Sequence, residues 1–349
     1  MPWGFSNAAL DEDRSGAGAD PLGDAIANAR QQGEHAGHAN HAAHFSTAPI
    51  GVMGDHLHRA GDWMFSYRYT LMYMDGNRDG SDSVSNGDVL GSFMVSPKRM
   101  TMQMHMFGAM YGFTDNITGM IMLPFVVKEM SHVTRMGANF TTRTQGMGDV
   151  KVKGMFGLWN NDSQHLHADL GVSLPTGSVN ENDDTPMGPS SPLPYPMQLG
   201  SGTFDLLFGG TYGSRINDDL SWGAQAGYTL RLGRNSADYS FGDRANATAW
   251  TTYSWTQRFN SSVRFDYQYW ANINGRDNRL NPMMVPTART DLRAGQRVDL
   301  LVGTSFYTTD NPHKGVQIGL EVGFPLFQHL DGPQLGTDFL ASLRASVHF

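Results

Sequence analysis

Phe339-Leu340-Ala341-Ser342-Leu343-Arg344-Ala345-Ser346-Val347-His348-Phe349 closes the chain. Phe339, Ala341, Leu343, Ala345, Val347 and Phe349 are apolar; Ser342, Arg344, Ser346 and His348 alternate with them and are polar. Successive side chains of an extended strand point to opposite faces, so this spacing makes one greasy and one wet face. A strand that crosses a bilayer at a tilt needs about 9–11 residues, apolar outside and polar inside. An edge strand of a soluble sandwich is the alternative, and the recurrence of the same pattern along the chain favours the barrel.

Composition points the same way. The 349 residues are 17% charged and carry 41 Gly, 19 Phe, 12 Tyr, 7 Trp and no Cys. Mean hydropathy is −0.38, and the longest near-continuous apolar run, Gly119 to Val127, is too short for a membrane helix. A chain this polar can live in a membrane only as a closed barrel, which satisfies its backbone internally. Without Cys, neither a disulfide scaffold nor a thiolate metal site can form. A net charge of −8 argues against a nucleic-acid partner. The terminal strand resembles the closing strand of bacterial outer-membrane barrels, where a final aromatic such as Phe349 is the insertion signature. That resemblance implies the bacterial outer membrane as location, with its lipid and the barrel-assembly machinery as partners. Met1 to Arg30 has neither a basic nor an apolar stretch, so the export signal is expected to have been removed or to lie upstream.

The expected fold is an all-β, antiparallel, up-and-down transmembrane barrel of about 12 strands, over residues 61–349. Residues 1–60 are Gly-, Ala-, Asp- and His-rich and read as a mobile arm or partial plug, with a short helix over Pro21 to Gln32. The barrel begins where Trp63, Phe65, Tyr67, Tyr69, Leu71 and Tyr73 alternate with Met64, Ser66, Arg68, Thr70, Met72 and Met74. Long loops are expected over Asp75–Lys98, Lys128–Gly146, Pro175–Gly200 and Asn274–Gly295, with a short loop between Leu232 and Asn246 and a sixth loop before the terminal strand. Tight turns are expected at Thr114-Asp115-Asn116, Trp159–Gln164, Asn217-Asp218-Asp219, Asn260 and Asp310-Asn311-Pro312. Short turns alternating with long loops resemble the periplasmic and extracellular ends of outer-membrane barrels.

Gly146-Met147-Gly148-Asp149-Val150, Leu174-Pro175-Thr176-Gly177-Ser178 and Leu199-Gly200-Ser201-Gly202 resemble the outer-membrane family labelled MetA-pathway of phenol degradation. The resemblance spans roughly residues 60–349 and implies a barrel with a transport role. Its glycines mark tight turns and close backbone approach.

Two residue types go beyond that pattern. Met100, Met102, Met104, Met106 and Met110 share one face of a strand; Met120 and Met122 do so on the next, and Met64, Met72 and Met74 on the one before. Opposite them stand Phe107, Ala109, Tyr111 and Phe113, the expected lipid side. A wall of about ten thioethers would suit Cu(I) or Ag(I), soft ions that thioethers select. Packing of an irregular interior is the plainer use of Met, and Thr101, Gln103 and His105 leave open that the faces are reversed. His35, His38, His41 and His44, spaced by three, with His56 and His58 after them, offer imidazole ligands for copper, zinc or nickel, or form a solvated tract.

Further expected lumen residues are Arg68, Lys151, Lys153, His165, His167, Asp169, Asp205, Arg231, Arg264, Asp266, Glu321 and Arg344, more plausibly bracing ion pairs than a selectivity ring. Asp75, Asn77 and Asp79 match the first half of a calcium loop, but position twelve is Asn86 instead of Glu. No cofactor is required, and no enzyme signature occurs. Three functions follow: an outer-membrane pore or transporter for soft metal ions, a channel for small hydrophobic or aromatic compounds, or a structural barrel blocked by its arm.

Overall fold

The computed structural model describes residues 48–161, 163–309 and 315–349. The helix expected over Pro21 to Gln32, and His35, His38, His41 and His44, lie outside them.

Twelve stretches of strand build the wall: β1 Trp63–Gly80, β2 Val95–Thr114, β3 Ile117–Thr134, β4 Asn139–Met147, β5 Val150–Asn160, β6 Gln164–Leu174, β7 Phe204–Arg215, β8 Leu220–Leu232, β9 Arg244–Thr256, β10 Phe259–Trp270, β11 Gly295–Tyr307 and β12 Gly315–His348. Eleven of them close an antiparallel ring, each pairing with its neighbour and β12 returning to β1. The twelfth, β4, continues β5 along the far half of β3: Met147 faces Phe125 and Lys151 faces Met122.

Eleven single passes cannot close an antiparallel ring, because the first and last would then run parallel. The resolution lies in β12, whose 34 residues would stretch over about 110 Å if straight, far more than a bilayer. Residues 317–330 pair with β11, and residues 330–348 pair with β1. Between them Gly332 has φ +69°, and Gln328 and Thr337 exchange two hydrogen bonds of 2.8 Å. β12 is therefore a continuous hairpin, and the ring makes twelve passes.

The alternation of the sequence sets the two faces. Trp63, Phe65, Phe107, Phe113, Val302 and Phe324 are exposed on the outside, as a lipid-facing belt requires. Met64, Met106, Met110, Met120 and Met122 are buried within, so the faces are not reversed. Among the described residues no helix is long and apolar enough to cross a membrane; the crossing is made by strands.

Several loop boundaries differ from expectation. β1 continues through Asp75 to Gly80, and the loop after it contains α1, Asn86–Ser92, capped by Ser85 and Asp88. Lys128–Gly146 is no loop: β3 and β4 extend as a hairpin with a turn at residues 135–138. The sixth loop is the tight turn within β12. In each case strand continues into a region with few apolar residues on either face, where alternation gives a weak signal.

Candidate functional site

The lumen has two unlike walls. On β1–β3, facing residues fall in register as Met74–Met100–Met130, Met72–Met102–Lys128 and Met64–Met110–Met120. Nearest the short turns, Met64, Met106, Met110, Met120, Met122 and Met155 form one buried cluster, with Met104 packed against it. Nearer the long loops, Met100, Met130, Leu193 and Met197 form a second, with Met74 against it. Met102 lies between them, partly buried. Methionine suits this wall because an unbranched thioether fills irregular space and adapts to what touches it.

The opposite wall is ionic. Arg264 donates to both carboxylate oxygens of Glu321 at 2.8 and 2.9 Å and to Asp266 at 3.1 Å. Arg297 donates to Asp299 at 2.9 Å, and Arg231 pairs closely with Asp205. Asp169 lies 3.5 Å from His167 and 3.9 Å from Lys153. Lys151 lies two residues from Lys153 on the same face of β5. Apart from Lys151, these charges lie in ion pairs, and Asp169, Asp205, Arg264, Asp266, Arg297, Asp299 and Glu321 are buried.

Between the walls runs residues 48–62, in the same compact unit as the barrel. Five successive carbonyls of this segment accept hydrogen bonds from inner-wall side chains. Arg68 donates to Gly51 at 2.7 Å, Arg344 to Val52 at 3.5 Å, Gln225 to Met53 at 3.0 Å, His167 to Gly54 at 3.0 Å and His165 to Asp55 at 3.1 Å. Irregular backbone at membrane depth persists only where its polar groups are satisfied in this way. A carbonyl can only accept, so both imidazoles present N–H here. Meanwhile Met53 and Leu57 pack against the larger methionine cluster. A Cβ on Gly51 would lie 2.0 Å from Glu321 Oε2, and Gly54 has φ +64°, so both glycines are required. The segment leaves where Gly61 N donates to Gly112 O at 2.8 Å and the chain enters β1.

The long-loop end is roofed by residues 193–198. Leu193 and Met197 cover the second methionine cluster, and Lys128 donates to Pro196 O at 2.8 Å. The three glycine motifs meet at the base of this roof. Asp149 accepts from Gly177 N at 3.0 Å and from Ser201 N at 2.7 Å. A Cβ on Gly177 would lie 2.6 Å from Gly200 Cα. They are a structural junction, fixing where the loop leaves and rejoins the wall.

The remaining sites divide. His56 and His58 sit buried in the lumen segment. Asp75, Asn77 and Asp79 lie on β1 instead of a loop and are not brought together on one ion: Asp75 pairs with Arg99 at 3.3 Å, Asn77 donates to Pro97 O at 2.7 Å, and Asp79 accepts from Gly332 N at 3.1 Å. Sequence reasoning missed Gln225, the Arg297–Asp299 pair, Met53, Met155, Met197 and His348. Parity could have placed Gln225, Arg297, Asp299, Met155 and His348 on the inner face; Met53 and Met197 depend on how the lumen segment and the roof pack.

A closed antiparallel barrel with an aromatic and aliphatic exterior and a side-chain-lined lumen has the build of a β-barrel of the bacterial outer membrane. The chain belongs to the family described as "Putative MetA-pathway of phenol degradation", which matches residues 75–284. Its fold is similar to that of an outer membrane channel from Pseudomonas putida F1, at 15% identity and TM-score 0.59, over 85% of this chain and 99% of that one. Weaker likenesses are to a mutant of the monoaromatic hydrocarbon channel TodX (10% identity, TM-score 0.45, 89% of this chain and 98% of that one) and to the toluene transporter TbuX of Ralstonia pickettii (11%, 0.41, 88% and 95%). No curated protein matches the sequence.

Proposed function

We propose that the channel carries small apolar solutes of the monoaromatic class. The observation behind this reading is the methionine wall: two buried thioether clusters, at two heights of one side of the lumen. A wall of adaptable, polarisable side chains accommodates aromatic rings of varied shape and offers favourable sulfur–aromatic contact. The family description, with its reference to phenol degradation, agrees with such a cargo.

A soft-metal channel for Cu(I) or Ag(I) is the second reading, supported by six buried thioethers in one cluster. Three contacts weigh against it. Arg68 donates to the sulfurs of Met53 and Met106, at 2.7 and 3.7 Å, and Arg344 to that of Met64 at 3.7 Å. Those guanidinium groups use the sulfur lone pairs and repel a cation.

The test is uptake of labelled toluene into proteoliposomes by the parent protein and by Met106→Lys and Met130→Lys. A lysine in each cluster is expected to slow uptake on the order of tenfold, equivalent to about 1.4 kcal/mol. Unchanged toluene uptake with either lysine, or tight Ag(I) binding abolished by Met→Leu changes at these positions, would sink the aromatic reading.

A further inference from the structure

His56-x-His58 is brought against a residue from the far end of the chain. The imidazoles of His56, His58 and His348 each offer a nitrogen, and these atoms all lie within 4.8 Å of one another. Ring centroids are 4.8 Å apart for His56 and His58, 5.9 Å for His58 and His348, and 6.1 Å for His56 and His348. His56 and His58 are buried, 7% and 5% exposed. The geometry points to a binding site for one divalent transition-metal ion, Zn²⁺ or another imidazole-preferring ion, that ties the lumen segment to the terminal strand.

The fold builds the site from three directions. Leu57, between the two histidines, packs against the methionine cluster. His58 N donates to Thr118 Oγ1 at 2.8 Å, which fixes the backbone beneath the ring. His348 belongs to the inner face of β12 and pairs in register with Met64. Asp55 Oδ2 lies 3.2 Å from His56 Nδ1. A carboxylate at one ring nitrogen orients a histidine and leaves the other nitrogen for an ion. Around tetrahedral zinc, with Zn–N of about 2.0–2.1 Å, nitrogens stand about 3.4 Å apart. Small side-chain rotations close the present spacing to that value. Three histidines with an open fourth position form a donor set for zinc, copper or nickel. The site stands independently of the solute's identity.

The test uses the full chain in detergent, stripped of metal, with His35, His38, His41 and His44 changed to Ala so that they do not contribute. Titration with Zn²⁺ is expected to saturate at one ion per chain and to raise the unfolding temperature. Co²⁺ in its place is expected to give the visible absorption of a tetrahedral nitrogen site. His348→Gln and His58→Gln should each weaken Zn²⁺ on the order of a hundredfold and remove both the thermal shift and the Co²⁺ bands. Folding of each variant is read from its resistance to unfolding in SDS before heating; if His348→Gln fails that control, His58→Gln decides the question. Absence of saturable Zn²⁺ binding in the parent overturns the site. So does binding that survives unchanged in a folded variant.

Discussion

Glycine at position 51 carries more of the lumen's design than its size suggests. Its carbonyl accepts from Arg68, and a Cβ there would collide with the Arg264–Glu321 ion pair. Neither charge can retreat, because each is buried and bound to the other. Gly51→Ala is therefore expected to dislodge the segment at a cost of about 1–3 kcal/mol. Planar-bilayer recording should show higher single-channel conductance, with the barrel still resistant to SDS before heating. Conductance equal to the parent's would mean that the segment does not limit passage.

At the scale of elements, the hairpin in β12 decides closure. Gly332 has φ +69°, and a Cβ there would lie 2.6 Å from Leu292 Cδ2. Alanine in that conformation costs about 1–2 kcal/mol, and the contact with Leu292 adds to it. Gly332→Ala should lower the thermal unfolding midpoint in detergent more than Gly332→Asn, since Asn tolerates the left-handed region. Equal midpoints would contradict a turn at this residue. Much of the barrel is legible in the sequence because a span apolar on one face and polar on the other writes a period of two into it. Met100 through Met110 fall on one face for that reason. The extension of β3 and β4 beyond Lys128 is not legible, since both of its faces carry mostly polar residues. The roof formed by Leu193 and Met197 reads as part of an irregular loop, because the six prolines between Pro175 and Gly200 say nothing of what it covers. The contacts of the lumen segment are hardest to foresee: what it offers the wall side chains is mainly its own backbone carbonyls, which every residue possesses.

For the whole molecule, the segment reaches β1, β3, β6, β8 and β12 around the ring. It meets the ionic wall through its backbone carbonyls and the methionine wall through both backbone, at Gly51 O and His58 N, and side chains, at Met53 and Leu57. A chain lacking residues 1–62 is expected to form the same barrel with several-fold higher conductance, since a ring of about 12 strands encloses a passage unless filled. Low conductance from that folded chain would assign the barrier to the roof at Leu193 and Met197 instead.

The placement of the segment also has a consequence in time. Its anchors include Arg68 on the first strand and Arg344 and His348 on the last, with Glu321 beside Gly51. The segment therefore gains its full grip only once that last hairpin pairs with the first strand, so closure of the ring and seating of the segment are coupled.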